Sequence, residues 1–118
     1  MKRINETNRD VKPLLVLVAT IFLLMVINSA YAAEYKVVIK DHRFVPDTIE
    51  MSAGERHRLI VQNSDATAEE FESYELNREK IIAGHSKAVI FLPALEPGSY
   101  PFFGEFNEDT AQGRIIVK

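Results

Sequence analysis

The sequence predicts an all-β fold: an antiparallel β-sandwich of about six to eight short strands behind an export signal. Three observations carry that prediction. From Tyr35 onward apolar and polar residues alternate in short runs, and these runs are separated at near-regular intervals by Gly, Pro, Asn, Asp and Ser. Only Tyr74 to Ile82 (YELNREKII) has the makings of a helical turn, and nothing repeats internally.

The first element is a leader. Lys2, Arg3, Arg9 and Lys12 make a basic start, Leu14 to Ile27 (LLVLVATIFLLMVI) is uninterrupted apolar sequence, and Ala30-Tyr31-Ala32 follows. A charged region, an apolar region and an A-x-A site together mark a secretory signal peptide. The apolar run falls short of the ~20 residues that a spanning helix needs. Cleavage after Ala32 is therefore expected, with an uncleaved membrane anchor as the alternative. Residues 1–32 are read as the leader and 33–118 as one domain, placed in the periplasm.

The strands follow in order. Tyr35 to Lys40 (YKVVIK) is the first, closed by Asp41-His42-Arg43. Phe44-Val45-Pro46-Asp47 leads into Thr48 to Met51, and Ser52-Ala53-Gly54-Glu55 is a turn. His57 to Gln62 alternates and stops at Asn63-Ser64-Asp65. Lys87 to Leu92 is ended by Pro93, Glu96-Pro97-Gly98 turns into Tyr100-Pro101-Phe102-Phe103, and Arg114 to Val117 is the last strand.

Charge and composition narrow the function classes. Residues 33–118 hold ten Lys/Arg against fifteen Asp/Glu. An acidic domain argues against nucleic acid and against an anionic membrane surface, leaving membrane contact to the leader alone. The chain has no cysteine, which removes disulfides, thiolate ligands and thiol catalysis together. No G-x-S-x-G or H-E-x-x-H occurs, so a hydrolase is a poor reading.

The segments D-H-R-F-V-P-D-T-I-E-M-S-A-G-E, L-I-V-Q-N-S-D and L-E-P-G-S-Y-P-F-F, in that order and spacing, resemble the cupredoxins, a Greek-key β-sandwich family. More narrowly, E-E-F-E-S with F-G-E-F-N-E-D-T-A-Q-G looks like the cysteine-free cupredoxin-like proteins of bacterial iron uptake. That resemblance implies an iron permease or a periplasmic iron-binding protein as partner, and iron as the metal, with copper outside a type 1 blue centre as the alternative. In copper-binding relatives a His follows the N-x-D turn, and a Cys, a His and usually a Met lie on the last loop. At those positions this chain has Glu69, Gly104, Asn107 and, near the Met, Gln112. A blue copper centre is excluded because its copper–thiolate bond has no sulfur here.

Carboxylates gather where those ligands are missing. Glu69, Glu70 and Glu72 lie on one segment, and Glu105, Glu108 and Asp109 on the other. If Phe71 points inward, strand alternation turns Glu69 inward with it and Glu70 and Glu72 outward. Glu105, between Phe103 and Phe106, is the expected partner of Glu69. Clustered carboxylates repel unless a cation or proton intervenes, and oxygen ligands suit hard cations. His42, beside the F-x-P turn, is read as an exposed turn residue, with a metal-ligand place bordering this acidic end as the alternative. His57 is read as a surface strand residue, His85 as a turn residue and Met51 as core. Asn63 and Asp65 are expected to fix the turn before Glu69. Gly98 and Gly104 are expected where tight or positive-φ geometry is required, and Gly104 also where backbone or a ligand approaches the place of the missing Cys side chain.

The functional expectation is a metal-site protein assisting iron uptake by binding, redox handling or hand-over. A ferroxidase role would need an electron acceptor. The alternative is a metal-free sandwich that docks a partner in the cell envelope.

Overall fold

The computed structural model describes residues 33–118, and the leader expected over residues 1–32 lies outside them. In chain order the strands are β1 (Ala33–Lys40), β2 (Arg43–Val45), β3 (Thr48–Met51), β4 (His57–Asn63), β5 (Glu69–Ser73), β6 (Arg78–Ile82), β7 (Lys87–Leu92), β8 (Gly98–Gly104) and β9 (Gln112–Val117). A short 3-10 turn, Glu105–Asn107, links β8 to β9. No α-helix occurs among the described residues.

The strands form a sandwich of two sheets, ordered β2-β1-β4-β7 and β3-β9-β8-β5-β6. Most neighbours are antiparallel, as expected, but β1 runs parallel to β4 and β3 parallel to β9. Alternation places Val37 and Ile39 of β1, Leu59 and Val61 of β4, and Ile90 and Leu92 of β7 inside. From the other sheet come Ile49, Met51, Phe71, Phe102, Ile115 and Val117. Phe71 and Phe102 stack at 4.9 Å, and the Phe44 ring meets both edge-on at 6.1 and 4.9 Å. This apolar body substitutes for the disulfides that a cysteine-free domain lacks.

Three expectations change. Nine strands occur among the described residues where the sequence predicts about six to eight, the short β2 and the weakly alternating β6 being the additions. The segment Tyr74–Ile82 carries no helical turn: Tyr74 to Asn77 is the tip of a hairpin, and β6 follows it. Ser73 Oγ accepts the Leu76 N–H at 3.1 Å to fix that tip, and Leu76 is buried. As an edge strand, β6 buries only Ile82 fully, so its alternation is too weak to read.

His57 is not on the surface. It shares the inward face of β4 with Leu59, Val61 and Asn63, and the arginines at 56 and 58 point away. Its Nε2 lies 2.9 Å from Ser52 O, its ring meets Tyr35 edge-on at 5.3 Å, and its Nδ1 has no partner among the described residues. Met51 lies in the core as expected.

Candidate metal centre

The turn between β4 and β5 is built by Asn63. Its buried amide donates to Thr67 O (2.8 Å), Ile82 O (3.1 Å) and Ala83 O (3.3 Å), while its Oδ1 accepts the Asp65 N–H at 3.0 Å. Asp65 in turn accepts the Asp41 and His42 N–H groups at 2.8 and 2.9 Å. The bond from His42 N–H, the larger of the opposing influences, holds the Asp65 carboxyl below its ordinary range. Both Asx residues thus have the structural role expected of them, and they lead the chain directly into Glu69.

Glu69 points inward with Phe71, as alternation requires, and is 1% exposed. Its Oε1 accepts the Glu70 N–H at 3.0 Å and the Phe106 N–H at 2.9 Å, and its Oε2 accepts Asn107 Nδ2 at 2.7 Å. The carboxyl lies against residue 104, where a Cβ would stand 2.6 Å from Glu69 Cδ and 2.6 Å from Ala111 Cβ. Gly104 has φ −95°, so it is needed for space and not for a left-handed backbone; among the described glycines, positive φ belongs to Gly54.

Three of the four positions matched to copper ligands therefore do converge: Glu69, Gly104 and Asn107. What fills the space is a hydrogen-bonded carboxylate. The fourth, Gln112, instead sends its amide to Glu108 O at 2.8 Å. The donor set and the filled space do not fit a copper ion at this interior position.

The second feature lies on the outer face of the five-stranded sheet. Glu70, Glu72, Glu79 and Glu105 each offer a carboxylate oxygen, and these four atoms all lie within 4.8 Å of one another. Strand register explains the gathering. Glu72 stands opposite Glu79 across the β5–β6 hairpin. Phe71↔Gly104 and Glu72↔Phe103 pair β5 with β8, so one step further brings Glu70 to Glu105. Glu70 is buried, Glu72 half-buried, and Glu79 and Glu105 are exposed.

Crowding shifts these acids. A hydrogen bond shared with Glu79, then burial, then Glu105, push the Glu70 carboxyl up to about 7. Glu72 is raised chiefly by a hydrogen bond shared with Glu105. The Tyr74 phenol is raised chiefly by the charge of Glu72. Such a group holds either a proton or a cation between its oxygens. Several oxygen ligands on one face suit a hard divalent ion.

The expected pairing of Glu69 with Glu105 does not occur in this group. Residue 105 starts the 3-10 turn with its side chain outside, while Glu69 is engaged inside. Glu70 and Glu72 join Glu105, and Glu79 is the member that sequence reasoning missed. Glu108 and Asp109 are not among the four, although the charge of Glu108 adds to what raises Glu72. They line an open cleft with His42, Thr110 and Glu105, where Thr110 Oγ1 donates to His42 O at 2.6 Å. His42 is an exposed turn residue, as expected; it borders the acidic end, but its Nδ1 faces Asp65 Oδ2 at 3.6 Å and it is not in the carboxylate group. His85 is a turn residue with φ +54°, its N–H bonded to Asp65 O.

Comparison with known proteins gives three findings. The family model of the cupredoxin-like domain matches residues 13–117. An uncharacterised protein of Rickettsia prowazekii (strain Madrid E) is 52% identical over 84 residues, covering 71% of this chain and 67% of the relative. Among solved structures, the metal-binding domain of the Cu(I)-exporting P-type ATPase CopA of Streptococcus pneumoniae D39 aligns with a TM-score of 0.65 at 15% identity, covering 72% of this chain and 84% of that one. Auracyanin A, a "blue" copper protein of Chloroflexus aurantiacus, aligns with a TM-score of 0.64 at 11% identity, covering 74% and 100%.

Proposed function

The chain belongs to the cupredoxin-like domain family, and on that premise we propose that it binds a metal ion through oxygen ligands and assists iron handling in the cell envelope. The observation that carries the reading is the placing of Glu70, Glu72, Glu79 and Glu105 with oxygens within 4.8 Å of one another. The solved relatives named above handle copper by their descriptions, but the copper position here is filled by Glu69 and has no thiolate. An all-carboxylate set favours Fe(II), Mn(II) or another hard cation over Cu(I). The likeness of E-E-F-E-S and F-G-E-F-N-E-D-T-A-Q-G to cysteine-free proteins of iron uptake supports iron among these. It also supports hand-over to a permease or a periplasmic iron-binding protein. Binding and hand-over need only the carboxylates, whereas ferroxidase action needs an electron acceptor as well.

The test is calorimetric titration of the purified protein with anaerobic Fe(II), Mn(II) and Cu(II), repeated on Glu70→Gln/Glu79→Gln. Binding of Fe(II) or Mn(II) at one ion per chain, lost in the double variant, is the expected result. Binding that survives the double substitution, or no binding by the unaltered protein, would sink the proposal. A second reading, a metal-free module docking a partner, is favoured by the apolar side chains beside the same carboxylates. Tyr74 is 74% exposed and Ile81 61%, and Tyr74 leans on Phe103 at 5.6 Å. That reading takes over if none of the three ions binds.

A further inference from the structure

We infer that Glu69 is a positioning residue for the carboxylate site: from inside the sandwich it holds the two backbone positions that carry Glu70 and Glu105, and so keeps those acids together on the outer face. The inference rests on reading that face as a metal site.

The ladder between β5 and β8 ends at Phe71↔Gly104. Glu70 and Glu105 lie one step past it, where no ladder pairing holds the strand end to the following turn. A single oxygen spans the gap from behind. Glu69 Oε1 accepts the N–H of Glu70 on β5 and the N–H of Phe106, whose peptide begins at the Glu105 carbonyl. The other oxygen accepts Asn107 Nδ2 and so fixes the 3-10 turn in which Glu105 is the first residue. The arrangement is possible because residue 104 has no side chain in the space the carboxyl fills. The three donors engage both oxygens of Glu69 on the protein's own groups, so it acts through Glu70 and Glu105 and not as a ligand. Groups that orient ligands in this way govern affinity without touching the ion.

Two measurements on the purified full-length chain test this, both at a temperature where every variant is folded by circular dichroism. The first is Mn(II) affinity, read from loss of the free-ion electron paramagnetic resonance signal. Glu69→Ala is expected to weaken binding about 10–100-fold, while Glu69→Gln, which keeps an oxygen for the two backbone N–H groups and regains the Asn107 bond when that amide turns its oxygen to the new NH2, stays within about threefold. The second needs no metal. Because the chain has no cysteine, Glu70→Cys/Glu105→Cys gives a clean pair whose disulfide forms only if the two positions stay close. Adding Glu69→Ala is expected to slow that cross-link several-fold, and Glu69→Gln to leave it unchanged. If alanine prevents folding, Glu69→Asp, which withdraws the carboxylate by one methylene, takes its place with the same expectations. A folded Glu69→Ala protein that binds Mn(II) and cross-links like its parent overturns the inference. If the unaltered chain binds no Mn(II), the metal reading fails by itself and the cross-linking rates decide the role of Glu69.

Discussion

Gly104 and Glu69 share one space: a Cβ at residue 104 would stand 2.6 Å from Glu69 Cδ and 2.9 Å from Oε1. The position matched to a copper-binding thiolate has given up its side chain, and a carboxylate from the neighbouring strand has moved in. Since φ at Gly104 is an ordinary −95°, only volume forbids a larger residue.

Gly104→Ala is therefore expected to destabilise the domain by about 1–3 kcal/mol, the usual cost of overpacking a filled interior. In a double-mutant cycle Gly104→Ala should cost less in a Glu69→Ala background than in the parent, and part of the cost should remain because the new methyl still meets Ala111 Cβ at 2.6 Å. Urea unfolding of the single and double variants measures both effects, and a Gly104→Ala protein as stable as its parent would refute the shared-space account.

The outer carboxylates give stability an inverted pH dependence. Glu70 is raised from 4.5 to about 7 in the folded protein. Between those values the folded state keeps a proton that the unfolded chain releases, so the native form binds more protons and its stability falls as pH rises. The penalty is complete above about 7 and absent below 4.5, and Glu72, also raised, acts in the same direction. Melting temperatures of the metal-free protein should decline across this window, and Glu70→Gln should flatten the decline. Mn(II) at neutral pH should restore what the lost proton removed. A melting temperature that rises steadily from pH 4.5 to 7 would contradict the clustering.

Glu79 separates the sheet face from the loop as the seat of binding. Glu79→Gln removes one of the four gathered oxygens and should weaken Mn(II) binding by about an order of magnitude, as loss of a ligand charge does in oxygen sites. Glu108→Gln and Asp109→Asn, outside the group, should bind within about threefold of the unaltered protein. The reverse ranking would move the site into the cleft beside His42.

The sandwich was legible because β1, β4, β7 and β9 alternate cleanly between turn residues. Alternation also fixed the inward turn of Glu69 and the outward turn of Glu70 and Glu72, with Phe71 between them as the indicator. What escaped was whatever depends on pairing between strands. Glu79 lies seven positions from Glu72 and reaches it only through the hairpin register of an edge strand with weak alternation. In sequence Glu105 resembles a partner for Glu69, because the last loop of the copper-binding relatives carries its ligands into the end of the sandwich. The 3-10 turn instead gives that interior place to backbone and to Asn107. His57 shows the converse error: its place in the alternation was visible, but the flanking arginines outweighed it.

Asn63 links the fold to the site, and its two substitutions make opposite demands. Asn63→Ala leaves the carbonyls of Thr67, Ile82 and Ala83 and the N–H of Asp65 without their partner, which should cost about 1–3 kcal/mol. Asn63→Asp keeps an acceptor for the Asp65 N–H but turns a second oxygen toward three carbonyls. If the amide acts chiefly as a donor, the aspartate is the worse replacement, because a buried charge facing acceptors costs more than an empty space. Chemical denaturation at pH 7 should thus rank the parent above Asn63→Ala, and Asn63→Asp last. An aspartate variant as stable as the parent would mean that the turn is held by the Asp65 N–H alone, and that the carbonyls at its base find other donors.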